Sequence, residues 1–195
     1  ILEAIEKKGY QNPSPIQERV IPVFLTGDKD IIWQAQTWTW KTASFGIPLL
    51  QLIDSKSKTT KAIILCPTRE LAIQVSDEIN SFVPDNKIST LLLYGGNPIR
   101  DEIRELKNKP NIIIWTPWRV IDHLNKWRLH LEDLEYFVLD EADEMLNIWF
   151  REEIEEIMKS TPKNKKTLLF SATMPKAIMD IVKNYMQDYD LISVK

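Results

Sequence analysis

The chain has 195 residues, of which 44% are hydrophobic and 27% charged, and its net charge is -3 at neutral pH. These values are typical of one globular domain and exclude disordered and fibrous proteins. No apolar run approaches the ~18 residues of a membrane span, so we expect no membrane partner. The one cysteine, Cys66, has no partner for an internal disulfide, which favours a cytoplasmic protein. Because the chain is acidic, any nucleic-acid site must be local.

Short apolar runs alternate with helical patterns along the whole chain. The runs predict strands at residues 30–32, 62–66, 89–94, 112–114, 136–139 and 167–170. The helical patterns cover residues 14–26, 42–54, 69–82, 98–108, 117–126, 150–159 and 175–187. The runs are continuously apolar, as in strands buried on both faces. We therefore expect one α/β domain over residues 1–195, with a mostly parallel sheet and helices on both faces. Ligands then belong beyond the carboxyl ends of the strands.

A loop that ends in lysine and threonine follows the first predicted strand and opens a helix. It reads Ala35-Gln36-Thr37-Trp38-Thr39-Trp40-Lys41-Thr42. A strand, a tight loop, Lys-Thr and a helix form the frame of a phosphate-binding loop, in which lysine reaches the phosphates and threonine ligates Mg²⁺. Glycine is expected where Trp38 and Trp40 stand. Taken alone, the frame is equally compatible with an ordinary first helical turn.

Acidic and hydroxyl residues follow the fifth and sixth predicted strands. Asp140-Glu141-Ala142-Asp143 comes directly after the fifth strand. A carboxylate in that place can hold Mg²⁺ and its neighbour can activate water, although a helix N-cap with acids in its first turn is the alternative. Ser171-Ala172-Thr173 closes the sixth strand, and by itself it indicates a helix cap.

Further motifs make the pattern specific. They are Gly9-Tyr10-x-x-Pro13-Ser14-Pro15-Ile16-Gln17, Pro67-Thr68-Arg69-Glu70-Leu71-Ala72, Gly95-Gly96 and Thr116-Pro117-x-Arg119. In this order, together with the motifs at 140–143 and 171–173, they closely resemble the N-terminal RecA-like P-loop domain of DEAD-box ATP-dependent RNA helicases. The resemblance covers about residues 1–195, and the segment 9–17 is similar to the family's adenine-reading Q motif.

The resemblance implies a role for each matching residue in ATP hydrolysis. Gln17 would bond the adenine edge, Asp140 would hold Mg²⁺ through water, and Glu141 would orient or deprotonate the attacking water. The residues implied to bind ATP are Tyr10, Gln17, Ala35, Gln36, Thr37, Trp38, Thr39, Trp40, Lys41 and Thr42. The implied catalytic residues are Lys41, Asp140 and Glu141, and the implied Mg²⁺ ligands are Thr42 and Asp140.

The resemblance also implies an RNA partner and a second RecA-like domain. Asp143 would couple to Ser171 and Thr173 and so link the ATP state to domain closure. The residues implied to line the RNA backbone are Pro67, Thr68, Arg69, Gly95, Gly96, Thr116 and Arg119. A second domain, which would carry an arginine finger, would follow Val194, so this chain alone is expected to be nearly inactive.

Two other functions remain open at the level of sequence. One is an inactive RNA- or protein-binding module, if the tryptophans of the phosphate loop are genuine. The other is a DNA-directed helicase of the same superfamily. A metal site at His123 and His130 is not expected, because no cysteine or carboxylate accompanies them at a suitable spacing. Cys66 is interpreted as a small core residue.

The tryptophans occupy an unusual set of positions. The chain has 7 tryptophans and only 5 glycines, whereas ordinary usage predicts about 14 glycines. Relative to the family pattern, Trp38, Trp40 and Trp118 stand at glycine positions. The other four, Trp33, Trp115, Trp127 and Trp149, stand where the family usually has glycine or another small residue. An indole at position 40 would project where phosphate or the helix must lie, and indoles at positions 33 and 115 would overpack the core.

We explain this pattern by translation of the gene with the wrong genetic code. The codon UGA is read as tryptophan in some variant genetic codes and as glycine in others. A gene that uses UGA for glycine, translated with the tryptophan code, would give this sequence and leave glycines from ordinary codons unchanged. A degenerate inactive gene and a deliberate glycine-to-tryptophan design are the alternatives. The chain with glycine at all seven tryptophan positions is called the glycine form below.

The coding sequence tests the decoding hypothesis. We expect UGA at all seven tryptophan codons and a GGN codon at each of the five glycines. Sequencing the gene is the measurement. UGG at two or more of the seven tryptophan codons would contradict the hypothesis.

Overall fold

The computed structural model describes residues 1–34, 41–83, 87–96, 98–147 and 150–193. Its strands form one seven-stranded sheet in the order β3-β4-β2-β5-β6-β1-β7, and every neighbouring pair is parallel. The strands are β1 Asp30–Gln34, β2 Ala62–Leu65, β3 Thr90–Leu93, β4 Ile112–Trp115, β5 Tyr136–Leu139, β6 Lys166–Ser171 and β7 Tyr189–Ser193. The predicted α/β architecture with a parallel sheet is confirmed.

Helices cover both faces of the sheet. The described helices are α1 Leu2–Lys7, α2 Pro15–Thr26, α3 Lys41–Leu52, α4 Arg69–Phe82, α5 Ile99–Lys107, α6 Pro117–Asn125, α7 Ala142–Asn147, α8 Arg151–Lys159 and α9 Lys176–Tyr185. Side chains alternate along each strand, so Ile31 faces a core built with α2, α3 and α4. Ile32 faces the opposite core, built with α6, α8 and α9. This two-sided burial explains why the strands are continuously apolar in sequence.

All six predicted strands and seven predicted helices are present, and three further elements escaped prediction. The edge strand β7 was missed because only one of its faces is partly covered, so it lacks a continuous apolar run. The helices α1 and α7 have six residues each, which is too short for a clear helical period. Within the described ranges, no helix has the length and apolar character needed to cross a membrane.

The strand order sorts the sequence motifs into two groups. The strands β5, β6 and β1 are neighbours in the sheet. Asp140 directly follows β5, Ser171 is the last residue of β6, and Lys41 begins the helix that comes after β1. The strands β3, β4 and β2 occupy the other half, and they lead to Gly95, Thr116 and the segment 67–69. One edge of the sheet therefore carries two adjacent candidate sites.

Two tryptophans lie in the hydrophobic cores. Trp33 and Trp115 are both buried, on opposite faces of the sheet. The structure thus places both indoles inside the cores that the sequence argument expects them to overpack. The ring of Trp115 packs edge-on against His123, with 6.0 Å between ring centres. Its indole Nε1, however, is buried with no hydrogen-bond partner among the described residues, which is an unfavourable environment for this group.

Trp127 occupies a backbone position that favours glycine. Helix α6 ends in a Schellman motif, in which the N–H of Arg128 donates to the carbonyl of His123 and the N–H of Trp127 to that of Leu124. The C′ residue of this motif is Trp127, and its φ is +54°. Helices most often have glycine at this left-handed position, because a side chain strains it. The indole itself is 82% exposed, so it gains little burial in return. Three other tryptophans, Trp38, Trp40 and Trp149, lie outside the described residues.

Replacement of Trp127 by glycine is expected to stabilise the chain. Trp127→Gly relieves the left-handed strain, and we expect a gain of about 1 kcal/mol in the free energy of unfolding. Trp118→Gly is the matched control, because Trp118 is also exposed, at 66%, but lies inside helix α6. The backbone of Trp118 is helical, so glycine relieves no left-handed strain there and the control should gain no stability. Urea unfolding of both variants measures the difference. A gain for Trp118→Gly equal to that for Trp127→Gly would contradict the assignment of position 127.

Candidate functional site

A buried ion pair joins the first residue of α3 to the end of β5. The ammonium Nζ of Lys41 lies 2.6 Å from Oδ1 of Asp140 and 3.5 Å from Oε1 of Glu141. Asp140 is completely buried. Burial lowers the pKa of Lys41, but the attraction of Asp140 and then Glu141 outweighs it, so the pKa lies above its usual value. Lys41 therefore keeps its positive charge in a poorly hydrated place.

The surroundings of Asp140 suit a hard cation. Its Oδ2 is buried and has no hydrogen-bond partner in the part of the chain that the structure describes. The hydroxyl-bearing Thr42 is half-buried in the first turn of α3, next to Lys41. Carboxylate and hydroxyl oxygens, completed by water, are ligands that Mg²⁺ accepts. These residues fit the predicted metal, while residues 35–40, which were expected to cradle phosphates, lie outside the described residues.

Glu141 has a strained backbone. Its φ is +54°, in the left-handed region that non-glycine residues rarely adopt. The strand β5 ends at Leu139 and helix α7 begins at Ala142, so the chain turns within two residues. The side chain remains 27% exposed, whereas that of Asp140 is buried. Strain of this kind concentrates at functional sites, and here it gives two adjacent carboxylates different environments.

Asp143 connects α7 to the end of β6. Its Oδ2 accepts hydrogen bonds from the backbone N–H of Thr173 at 2.9 Å and from the hydroxyl of Thr173 at 2.8 Å. The hydroxyl of Ser171 donates to the carbonyl of Thr173. Burial raises the pKa of Asp143, but the hydrogen bonds from Thr173 and Ser171 outweigh it and hold the pKa below its usual value. The structure thus brings together the three residues to which sequence assigned a coupling role.

The Q-motif segment begins α2 with a capping box. The backbone N–H of Ser14 donates to Oε1 of Gln17 at 2.9 Å, and the N–H of Gln17 donates to the hydroxyl of Ser14. Gln17 is buried. The cap fixes the side chain of Gln17 at the helix start.

Tyr10 is held against helix α4. Its hydroxyl donates to Glu78 at 3.0 Å, and its ring stacks on Phe82 with 6.1 Å between centres. Lys8 forms a 2.7 Å salt bridge with the same carboxylate. Burial, and after it Glu78, raises the pKa of Tyr10 to about 12. Sequence placed Tyr10 near adenine, and the structure adds its contact with α4.

Polar groups line the carboxyl ends of β2 and β3. Thr68 and Arg69 are exposed at the start of α4, where the Thr68 hydroxyl accepts from the N–H of Leu71. The guanidinium of Arg69 lies 4.2 Å from the ring centre of Tyr94. Gly95 and Gly96 are exposed beside them, and Gly96 has a φ of +112°, which requires glycine. Pro67 is buried behind this row, so its side chain does not present a contact surface.

The neighbouring helix α6 adds a second arginine. Thr116 is its N-cap residue and Arg119 lies in its first turn. The Nε of Arg119 donates to Oε2 of Glu102 at 2.8 Å. Sequence analysis missed Glu102 and Tyr94, because neither belongs to a motif and an acidic residue on a charged helix is usually on a solvated face.

Comparison with known proteins shows the family to which this chain belongs. The sequence profile of DEAD/DEAH box helicases matches residues 14–181. The chain belongs to this family. Over all 195 residues it is 48% identical to a probable ATP-dependent RNA helicase of Methanocaldococcus jannaschii, of which it covers 53%. It is also 48% identical to the ATP-dependent RNA helicase CshA of Listeria monocytogenes, of which it covers 37%.

A solved structure shares the fold of this DEAD/DEAH box chain. The crystal structure of a DEAD box protein from Methanococcus jannaschii superposes with a TM-score of 0.94 at 47% identity. The superposition covers 100% of the present chain and 53% of the chain in that crystal structure. The chain therefore spans about half the length of the M. jannaschii relative and less of CshA, as the sequence resemblance to an N-terminal domain predicted.

Proposed function

We propose that this chain is the ATP-binding half of an ATP-dependent RNA helicase. The observation that carries the proposal is the charged Lys41 held against Asp140 and Glu141 at the carboxyl edge of the sheet. A cation buried beside two carboxylates, at a helix N-terminus, is arranged for a ligand with both phosphates and Mg²⁺. Two relatives named as ATP-dependent RNA helicases support the same reaction.

ATP would bind along the edge formed by α2, α3 and β5. Gln17 would bond the adenine edge, since its capping box holds the amide in a fixed place. The ammonium of Lys41 would turn from Asp140 to the β- and γ-phosphates, exchanging one anionic partner for another. Thr42 and Asp140 would hold Mg²⁺, which neutralises phosphate charge when bound.

Glu141 would act on the attacking water. Its carboxylate is more exposed than that of Asp140, so water can reach it. A general base must lie within hydrogen-bond reach of the proton that it removes. The left-handed backbone of Glu141 sets its side chain apart from Asp140, so one carboxylate would serve the metal and the other the water.

RNA would bind along the half of the edge formed by β2, β3 and β4. Exposed Thr68 and Arg69, the backbone of Gly95 and Gly96, and Arg119 would contact phosphates and 2′-hydroxyls. Such contacts do not read base identity. They give an acidic chain a local RNA site, and Thr116 would contribute from the N-cap of α6.

Asp143 would link the ATP state to closure of a second domain. The bond between Asp143 and Thr173 links the segment after β5 to the segment after β6. A second RecA-like half would close on this edge and supply an arginine finger, which accelerates hydrolysis about 10³–10⁵-fold where measured. Unwinding of short RNA duplexes would need both halves, in a cytoplasmic setting that keeps Cys66 reduced.

Two substitutions separate hydrolysis from nucleotide binding. In the complete gene product in its glycine form, Glu141→Gln should abolish RNA-stimulated hydrolysis and leave ATP affinity within about 3-fold, because glutamine keeps the shape but takes no proton. Lys41→Ala should weaken ATP binding, because it removes a charge beside the phosphates. ATP titration and phosphate release measure the two effects.

Glu144→Gln provides the control for these variants. Glu144 is exposed on α7, close in sequence to the site, and its loss of charge should leave both measurements unchanged. If Glu141→Gln hydrolyses ATP within a few-fold of the parent, Glu141 is not the base. If Lys41→Ala binds ATP as tightly as the parent, the phosphate role of Lys41 is wrong.

A further inference from the structure

A buried carboxylate lies beneath one arginine of the candidate RNA site. Glu102 belongs to α5, most of whose residues are charged, yet it is only 2% exposed. Its Oε2 lies 2.8 Å from Nε of Arg119 and 2.8 Å from Nε2 of His123. Because an ionised carboxylate only accepts hydrogen bonds, both nitrogens donate to it. One oxygen thus holds two side chains of the neighbouring helix.

The arrangement fixes Arg119 from behind. Arg119 and His123 are four residues apart on α6, so they share the face that meets α5. His123 is completely buried, which restricts its movement relative to Glu102. The side chain of Arg119 is 18% exposed, so part of it reaches the surface. Glu102 therefore restricts the side chain of Arg119, which otherwise has many rotamers.

We propose that Glu102 is a positioning residue, which holds the guanidinium of Arg119 in the orientation that receives an RNA backbone phosphate. His123 in turn holds Glu102. This inference rests on the proposed function, because it assumes that Arg119 contacts RNA. A flexible arginine loses side-chain conformational entropy when it binds RNA, which weakens binding. An arginine that is already ordered does not lose this entropy.

The expected effect is a change in RNA affinity without a change in chemistry. Ordering one long side chain costs enough to weaken binding about 3- to 10-fold when it is no longer pre-ordered. Glu102→Ala should therefore raise the RNA concentration for half-maximal ATP hydrolysis by about 3- to 10-fold. The rate at saturating RNA and the affinity for ATP should stay within about 2-fold, because Glu102 touches neither Lys41 nor Glu141.

The experiment uses the complete gene product in its glycine form with a single-stranded RNA oligonucleotide. Glu102→Gln keeps an acceptor oxygen and should recover most of the RNA affinity. Arg119→Ala should lose at least as much affinity as Glu102→Ala, and the double variant should lose no more than Arg119→Ala alone. Glu105→Ala, which removes a carboxylate whose side chain is 45% exposed on the same helix, is the matched control and should leave the RNA dependence unchanged.

Different outcomes separate the two proposals. If Arg119→Ala leaves the RNA dependence unchanged, the RNA role of Arg119 in the proposed function fails. If Arg119→Ala loses affinity but Glu102→Ala does not, or if the two losses add, only the positioning role of Glu102 is overturned. Tighter RNA binding by Glu102→Ala also overturns it, since Glu102 would then act as a competing anion. If Glu102→Ala does not fold, Glu102→Asp replaces it, because aspartate is one methylene shorter and moves the carboxylate away from Arg119. Glu102→Asp should raise the RNA concentration for half-maximal hydrolysis by a similar factor. An unchanged concentration would overturn the positioning role.

Discussion

The ion pair between Lys41 and Asp140 is the constraint on which this edge of the sheet depends. A carboxylate with no exposure needs a partner of opposite charge, and Lys41 provides it at 2.6 Å. Removal of one partner from such a pair costs about 3–5 kcal/mol, because the other charge is left buried. The pair thus ties the start of α3 to the end of β5. It also keeps a cation at the start of α3, where the phosphates of the proposed nucleotide would bind.

The rest of the site follows from strand order. Because β5, β6 and β1 are neighbours, the carboxylates, the Ser-Ala-Thr segment and Lys41 meet at one half of the edge. The other half, from β3, β4 and β2, carries Arg69, Arg119 and the two exposed glycines. Asp143 bridges β5 and β6 through Thr173. A single sheet therefore places the proposed nucleotide site beside the proposed RNA site, and the bond between Asp143 and Thr173 lies within the nucleotide half.

Sequence predicted the elements whose signals are local and continuous. The strands β1 to β6 each contain a continuous apolar run, whereas the edge strand β7 alternates between exposed and partly buried residues. Motif residues were found because their order is specific. Glu102 was not, because only its burial against Arg119 and His123 distinguishes it from the solvated acids of α5. The sequence argument expects Trp33 and Trp115 to overpack the cores, and the structure places both there. Trp127 stands at a helix end that favours glycine.

Nucleotide selectivity tests the central claim most directly. The claim is that Gln17 and Lys41 form one site that reads adenine at one end and phosphate at the other. Titration of the glycine form with ATP and GTP should show at least about 10-fold tighter binding of ATP, since one well-placed hydrogen-bonding group discriminates by roughly that factor. Gln17→Ala should weaken ATP more than GTP and so reduce the preference. Equal affinity for the two nucleotides, or an equal loss of both in Gln17→Ala, would contradict the claim.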